Sequence, residues 1–267
     1  MKTIKKFAAL LLALSLLFAL SACGGKDSPN TPDDSADGHY TIGISQYGEH
    51  GSLDNCREGF LQGLAEEGIV EGENLTVDYQ NAGFDDSIAT QIGQSFSAND
   101  VDLMAAIATP SATACFAAAE DKDIPVIFTA ITDPVGAKLD SGNITGTSDV
   151  LPVEGQLELI RKLQPNASTI GIVYTTSEAN SVYSVGIYES LASKYAFTIE
   201  TVGVTSQAEV TQAVDTLISK GVNCISNLTD NTVVGVLPAI LEKTNDAGVP
   251  VYGSEIEQMK LGCVAGA

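Results

Sequence analysis

The sequence predicts an α/β protein of two similar lobes, each a doubly wound parallel sheet, with a ligand cleft between them. Short apolar, β-rich runs alternate with segments of helical periodicity over residues 40–255. Landmarks of the first half also recur in the second: an Ile-Gly-Ile triplet at 42 and 170, Thr109 and Thr229, and a Pro-Val pair at 125 and 250. Offsets of 128, 120 and 125 residues favour two lobes of one topology over a single long sheet.

Strands and helices alternate through the first half. The predicted strands are YTIGISQY, NLTVDYQNA, VDLMAAIA and IPVIFTAI, and the predicted helices are LDNCREGFLQGLAEEG, DSIATQIGQSFSAND and PSATACFAAAEDKD. In the first helix Leu53, Phe60 and Leu64 fall on one face, and Gly68 is a stop signal. This βα alternation predicts parallel strands with helices on both faces of the sheet.

The second half has the same alternation. Its predicted strands are STIGIVYTT, FTIETVGV, NCISNLT and VPVYGS, and its predicted helices are SVYSVGIYESLASKYA, EVTQAVDTLISKG and VVGVLPAILEKTNDAG. We therefore expect an N-terminal lobe over residues 40–147 and a C-terminal lobe over residues 148–255.

The N-terminus has the pattern of a lipoprotein signal peptide over residues 1–22. Three lysines precede an apolar run that ends at Leu20, and small residues stand before Cys23. This predicts cleavage ahead of Cys23 and its acylation with chains such as palmitate. A plain membrane anchor is the alternative, but the run is short for a span. Residues 23–39, rich in Gly, Pro, Ser and Asp, predict a flexible tether.

The mature chain is strongly acidic. Removal of residues 1–22 leaves 245 residues with 10 Lys and Arg against 34 Asp and Glu, a net charge near −24. Such a surface repels phosphate backbones and anionic lipids, so we expect no nucleic-acid partner and membrane contact only through the lipid on Cys23. We expect a monomer at the outer face of the cell membrane.

Cysteine and histidine usage gives little support to a metal or a cofactor. Cys56, Cys115, Cys224 and Cys263 form no C-x-x-C pair and allow three disulfide connectivities that the sequence does not distinguish. Their apolar or helical contexts favour buried free thiols. With two histidines and no clustered ligands, we expect neither metal nor cofactor.

Polar residues gather where the predicted strands end, and in open α/β sheets ligands bind there. Thr109 before Pro110 is typical of a helix N-cap, and the N-terminus of a helix also binds anions. These residues are therefore consistent with a cap, with an anion site, or with both. Any single polar loop is weak evidence, whereas recurrence in both lobes favours a shared cleft. The candidate ligand-binding residues are Gln46, Tyr47, His50, Thr109, Ser111, Asp133, Ser148, Asn180, Ser181, Asp230, Asn231 and Glu255.

The sequence resembles the solute-binding lipoproteins of ABC importers, in the group linked to tryptophan, tyrosine and related amino acids. The resemblance covers nearly the whole mature chain and rests on stretches such as LDNCREGFLQGLAEEGIVEGENLTVDYQNA, ATPSA, TAITDPVGA, NITGTSDVLPVEGQLELIRKLQPNASTIGIVY, SEANS and TDNTV. It implies a type I periplasmic-binding-protein fold that closes on a small solute and delivers it to a permease.

The chain departs from that family in two places. SEIEQMKLG stands where the family has a small, Asp-containing run, which affects the role of Glu255. The family also continues beyond Gly262 with a helix and a return through both lobes, so the resemblance implies a C-terminally truncated sequence in which residues 256–267 begin the return segment.

A zwitterionic amino acid requires donors for its carboxylate and acceptors for its ammonium group. We expect Thr109, Ser111 and the helix start to supply donors, with Ser148, Asn180 and Ser181 adding to them. Asp230 is the expected ammonium partner and Asp133 the second choice, although Asp-Pro is also an ordinary turn. Gln46, Tyr47 and His50 would face the side chain of the solute, with Tyr47 stacking on an aromatic ring.

Two other functions stay open. A cofactor-independent racemase needs thiols facing each other across the cleft, but Cys115 falls within a predicted helix and Cys224 early in a predicted strand. No nucleophile elbow or phosphate-binding loop occurs, so we expect no enzyme. A ligand-sensing lipoprotein without transport is the other alternative. Aromatic amino acids follow from the resemblance alone, and the residues leave other small solutes open.

Overall fold

Two parallel five-stranded sheets of identical topology form the protein. The computed structural model describes residues 38–267, so the predicted signal peptide, Cys23 and most of the predicted tether lie outside the described residues. The strand order is β2-β1-β3-β4-β5 in the N-terminal lobe and β10-β9-β8-β6-β7 in the C-terminal lobe. Since β6 to β10 repeat the order of β1 to β5, the prediction of duplicated lobes is confirmed.

The N-terminal lobe alternates strand and helix throughout. Its elements are β1 (Tyr40–Gln46), α1 (Gly51–Glu66), β2 (Leu75–Asn81), α2 (Asp86–Ala98), β3 (Leu103–Ile107), α3 (Thr109–Ala119), β4 (Val126–Ile131) and β5 (Ile144–Ser148). Central strand β1 pairs in parallel with β2 on one side and β3 on the other, with Ile42 opposite Leu103. Ile44, Met104 and Phe96 are buried in the core between the sheet and its helices.

The C-terminal lobe repeats the pattern with shorter strands. Its elements are α4 (Val153–Leu163), β6 (Thr169–Thr175), α5 (Ala179–Ala192), β7 (Thr198–Val204), α6 (Gln207–Ser219), β8 (Cys224–Ser226), α7 (Asn231–Val234), α8 (Leu237–Ala247), β9 (Val251–Gly253), α9 (Ile256–Leu261) and β10 (Ala265–Gly266). Two apolar clusters, around Tyr188 on one face and Leu217 on the other, cover the two faces of this sheet.

Three predicted boundaries are corrected. Ser148 pairs with Ile131, so it ends the N-terminal sheet rather than beginning the C-terminal lobe. Residues 256–267 form a helix and an edge strand of the C-terminal sheet, since Ala265 pairs with Tyr252. The helix predicted over 233–248 is two helices, and the second begins at Leu237 with Pro238, which lacks an amide hydrogen, in its first turn.

The start of α3 also differs from the prediction. The N-cap residue is Ala108, with φ of 79°, and the helix begins at Thr109. No side chain caps this helix, and the Thr109 hydroxyl has no hydrogen-bond partner among the described residues. The predicted capping role of Thr109 is therefore wrong.

Candidate functional site

A cavity of about 390 Å³ lies between the two lobes, beside the segment that connects them. It is called the interlobe cavity below. Loop and helix residues of the N-terminal lobe form one wall, residues 148–152 form the connecting side, and strand ends of the C-terminal lobe form the opposite wall. Its lining residues are His50, Ser52, Leu53, Cys56, Thr129, Ala130, Thr147, Ser148, Asp149, Val150, Leu151, Pro152, Thr229, Asn231, Val234, Ser254 and Glu255.

The N-terminus of α1 supplies hydrogen-bond donors to this cavity. His50 is the N-cap residue, and its side chain makes no capping bond. The first backbone N–H groups of a helix have no partner within the helix, and they carry a partial positive charge. Neither His50 ring nitrogen nor the Ser52 hydroxyl has a partner within residues 38–267. This wall therefore presents unpaired polar groups and suits an anion.

Two carboxyl groups line the opposite and connecting sides. Asp149 follows β5, and its Oδ1 accepts a hydrogen bond from the Thr132 hydroxyl at 3.2 Å. Over a third of the surface of Asp149 is accessible, and the residue borders the cavity. Partial burial of its carboxyl group raises the pKa of Asp149 to about 6. Glu255 follows β9 and accepts a bond from Gln258 at 3.2 Å. These two groups give the cavity acceptors for a cation.

His50 lies near this acidic side. Burial lowers its pKa, and the attraction of Glu255 opposes that shift. The ring is therefore neutral near pH 7, with one nitrogen that donates and one that accepts. The cavity thus combines donors from α1, a neutral imidazole and two carboxyl groups.

A buried acid pair holds the loop that carries Asn231. Glu178, which the sequence analysis did not select, accepts bonds from the backbone and side chain of Asn231 at 3.0 and 2.7 Å. The same carboxylate accepts from the backbone and hydroxyl of Thr232 at 2.9 and 2.8 Å. Burial and the charge of Asp230 raise the pKa of Glu178 to about 7. Glu178 thereby fixes Asn231 at the cavity wall.

Asp230 does not line the cavity, contrary to its predicted role as ammonium partner. Its carboxylate is fully buried and accepts bonds from the Thr175 amide at 2.5 Å, the Thr175 hydroxyl at 2.8 Å and the Val233 amide at 2.9 Å. Burial raises the pKa of Asp230. Asn180 and Ser181 are buried beside this pair, and Asn180 donates to the Thr229 carbonyl at 3.0 Å. These residues brace the loop instead of facing the solute.

Gln46 and Tyr47 also have structural contacts. The Gln46 amide donates to the Gly48 carbonyl at 2.8 Å and to Asp54 at 2.9 Å, and its oxygen accepts from Arg57 at 2.9 Å. The Tyr47 hydroxyl donates to Asp86 at 2.8 Å, and its ring is buried. Both side chains fix the loop between β1 and α1, so the expected stacking of Tyr47 on a ligand does not fit this position.

The remaining candidates lie outside the interlobe cavity. Ser111 is buried and accepts a bond from Ser45 at 3.1 Å. Thr109 borders a separate groove of about 440 Å³ between α2, α3 and the start of α5. Asp133 accepts from the Gly136 amide at 3.0 Å, the ordinary turn that its sequence also allowed.

Four of the twelve predicted residues therefore meet at one cavity: His50, Ser148, Asn231 and Glu255. The sequence analysis missed Ser52, Thr129 and Asp149. The signal for Asp149 was its place directly after a strand, but that strand was not predicted.

All four cysteines of the described part of the chain are free thiols; Cys115, Cys224 and Cys263 are buried as predicted, whereas Cys56 is only partly buried. Cys115 and Cys224 are fully buried, and burial raises the pKa of each to about 12. Neither lines the interlobe cavity, so their positions give no support to a two-thiol racemase.

Over the described range no cluster of His, Cys, Asp and Glu suited to a metal ion occurs. Across residues 38–267 every helix is too short or too polar to span a bilayer.

Two lobes of one topology with a polar cavity between them define a type I periplasmic-binding-protein fold. The family model described as ABC transporter substrate binding protein matches residues 41–267. The chain belongs to this family of ABC transporter substrate-binding proteins, which are not enzymes.

Three proteins are similar to this chain over most of its length. The chain is 36% identical over 272 residues to a tyrosine-binding protein of Clostridioides difficile strain R20291, covering 98% of this chain and 78% of the relative. A crystal structure from Streptococcus pneumonia in complex with L-Trp is 36% identical, with a TM-score of 0.80 over 84% of this chain and 77% of that one. A ligand-free, open substrate-binding protein with adhesive properties from Clostridium difficile is 37% identical over the same shares, with a TM-score of 0.57.

The two TM-scores differ although the identities are nearly equal. The structure described here therefore superposes more closely on the L-Trp complex than on the ligand-free, open protein. One hydrogen bond joins the two lobes: Asn55 donates to Glu257 at 3.0 Å.

Proposed function

We propose that this protein captures an aromatic amino acid, of the tryptophan or tyrosine type, in the interlobe cavity and delivers it to the permease of an ABC importer. One observation carries the proposal: unpaired donors at the start of α1 face a cavity that also holds two carboxyl groups. This arrangement matches a zwitterion, whose carboxylate needs donors and whose ammonium group needs acceptors. The names of the tyrosine-binding relative and the L-Trp complex support the aromatic side chain.

The rest of the proposal concerns location. The lipoprotein pattern before Cys23 supports an acylated, membrane-tethered protein outside the cytoplasm, acting as a monomer. Membership of the ABC transporter substrate-binding family supports delivery to a permease. A sensing lipoprotein without transport stays the alternative, and uptake of labelled amino acid by cells lacking the protein distinguishes the two.

Binding of L-tryptophan, L-tyrosine, tryptamine and indole-3-propionate to the Cys23→Ser protein tests the ligand. Tryptamine lacks the carboxylate and indole-3-propionate lacks the ammonium group, so each leaves one side of the cavity unpaired, and we expect each to bind at least about tenfold more weakly than L-tryptophan. The chain contains no tryptophan, so the fluorescence of L-tryptophan reports binding directly. Equal affinity for all three indole compounds would refute the zwitterion assignment.

A further inference from the structure

The ring of Phe84 lies between the lobes, wedged against two glycines. A β-carbon on Gly48 of the N-terminal lobe would stand 1.9 Å from the Phe84 ring. One on Gly235 of the C-terminal lobe would stand 2.9 Å from the ring and 2.3 Å from the side-chain Nε2 of Gln207. Real side-chain atoms never approach so closely. The ring thus occupies a slot that exists only because both residues lack a side chain.

The backbone of Phe84 is held in a conformation unusual for a large residue. Its φ is 65°, in the left-handed region that bulky side chains rarely adopt. The Phe84 amide donates to the Tyr47 carbonyl at 2.8 Å, and the two rings meet edge to face at 6.1 Å. Tyr47 is in turn fixed by Asp86. The N-terminal lobe therefore holds the Phe84 ring rigidly toward the other lobe.

We propose that Phe84 is a closing latch: its ring seats on Gly235 when the lobes close and slows release of the bound solute. The contact joins the two lobes, so it is made in the closed arrangement and lost when one lobe rotates away. Gly48 and His50 belong to the same loop between β1 and α1, so the ring also supports the loop that brings His50 to the interlobe cavity. The effect on solute release rests on the proposed function.

The test compares glycine-to-alanine variants of the Cys23→Ser protein. Gly235→Ala places a methyl group against the ring, whereas Gly186→Ala changes a glycine of α5 that has no atom within 4 Å of the new β-carbon. We expect Gly235→Ala to raise the dissociation rate of L-tryptophan about tenfold, and Gly186→Ala to leave it unchanged. Stopped-flow fluorescence of L-tryptophan measures the rate.

A double-mutant cycle separates the latch from a general loss of packing. Phe84→Gly keeps the left-handed backbone and removes the ring, so it should raise the dissociation rate by a similar factor. In that background Gly235→Ala should have a smaller effect than in the parent, because the methyl group then meets the flexible Gln207 amide but no ring. Additive effects of the two substitutions, or an unchanged dissociation rate in Phe84→Gly, would overturn the latch.

A ligand-independent measurement keeps the latch testable if the proposed function fails. Absence of L-tryptophan and L-tyrosine binding by the parent protein would refute the proposed function alone. The latch also predicts that the ligand-free parent is more compact in small-angle X-ray scattering than Phe84→Gly, since the ring favours the closed form. Equal radii of gyration for the two ligand-free proteins would refute it.

Discussion

Replacing Asp149 with asparagine tests whether this carboxyl group of the interlobe cavity binds the ammonium group of the solute, and a change of pH tests the same point without mutation. The pKa of Asp149 is raised from 3.8 to about 6 in the ligand-free protein. At pH 5 only about a tenth of this carboxyl group is ionised, against nearly all of it at pH 7.5. If the ionised form binds the ammonium group, the dissociation constant of L-tryptophan should rise about tenfold as the pH falls from 7.5 to 5. If the pKa of Asp149 were ordinary, the dissociation constant would hardly change over this range.

The assay is a fluorescence titration of L-tryptophan at half-unit steps of pH. Asp149→Asn should bind about tenfold more weakly at pH 7.5, since a partly accessible ion pair is lost, and its affinity should depend much less on pH. His50 faces the same cavity and burial lowers its pKa, so protonation of its ring on acidification would add to the pH dependence. A His50→Asn variant separates that contribution.

The outcome that refutes this reasoning is specific. If Asp149→Asn retains the affinity of the parent at pH 7.5, Asp149 does not bind the ammonium group. If the parent protein binds equally well at pH 5 and 7.5, Asp149 does not bind the ammonium group, and Glu255 is the other carboxyl group on the cavity.

Glu178→Ala leaves four buried donors of Asn231 and Thr232 without their acceptor, so urea titration should show a loss of about 3 kcal/mol, against under about 0.5 kcal/mol for the exposed control Glu189→Ala. The pKa of Glu178 is raised to about 7 in the folded protein, so its contribution to the free energy of unfolding is full below pH 4.5 and is lost as the pH rises to 7. Glu178→Gln removes this titration and should make the free energy of unfolding less dependent on pH over that range. Cys56 borders the interlobe cavity, whereas Cys115, Cys224 and Cys263 are buried, so N-ethylmaleimide should modify Cys56 of the Cys23→Ser protein. The rate of this modification should fall in proportion to the fraction of protein molecules that have L-tryptophan bound. A rate independent of L-tryptophan would contradict the placement of the solute.

The sequence predicted the duplicated topology because buried parallel strands are apolar runs bounded by helices. β1 and β6 are nearly continuous stretches of buried residues, and periodicity identifies such strands without tertiary information. β5 was missed because ITGTS is a polar, largely exposed edge strand without apolar alternation. Helix α4 was not assigned either, although its buried Val153, Leu157 and Ile160 have helical spacing.

The site was predicted less well than the fold for a related reason. Strand ends identify loops that face the cleft, but they do not tell which side chains turn inward. Asp230 follows β8 as expected, yet Thr175 of β6 and the Val233 amide hold its carboxylate inside the lobe. Asp149 was overlooked because its strand had not been recognised. Long-range hydrogen bonds determine where both carboxyl groups lie, and hydrophobic periodicity does not predict such bonds.

These placements divide the acidic residues of the cleft by function. Glu178 and Asp230 are buried carboxylates whose acceptor sites are filled by backbone and side-chain donors of their own lobe, so they shape the loop that carries Asn231. Asp149 and Glu255 line the interlobe cavity together with the N-terminus of α1. Phe84 contacts Gly48 of one lobe and Gly235 of the other, so the proposed latch predicts that lobe closure and assembly of the proposed zwitterion site occur together. It predicts further that a solute lacking either charge loses binding energy that favours closure, and that a rotation moving Gly235 away from the ring separates the two halves of the proposed site.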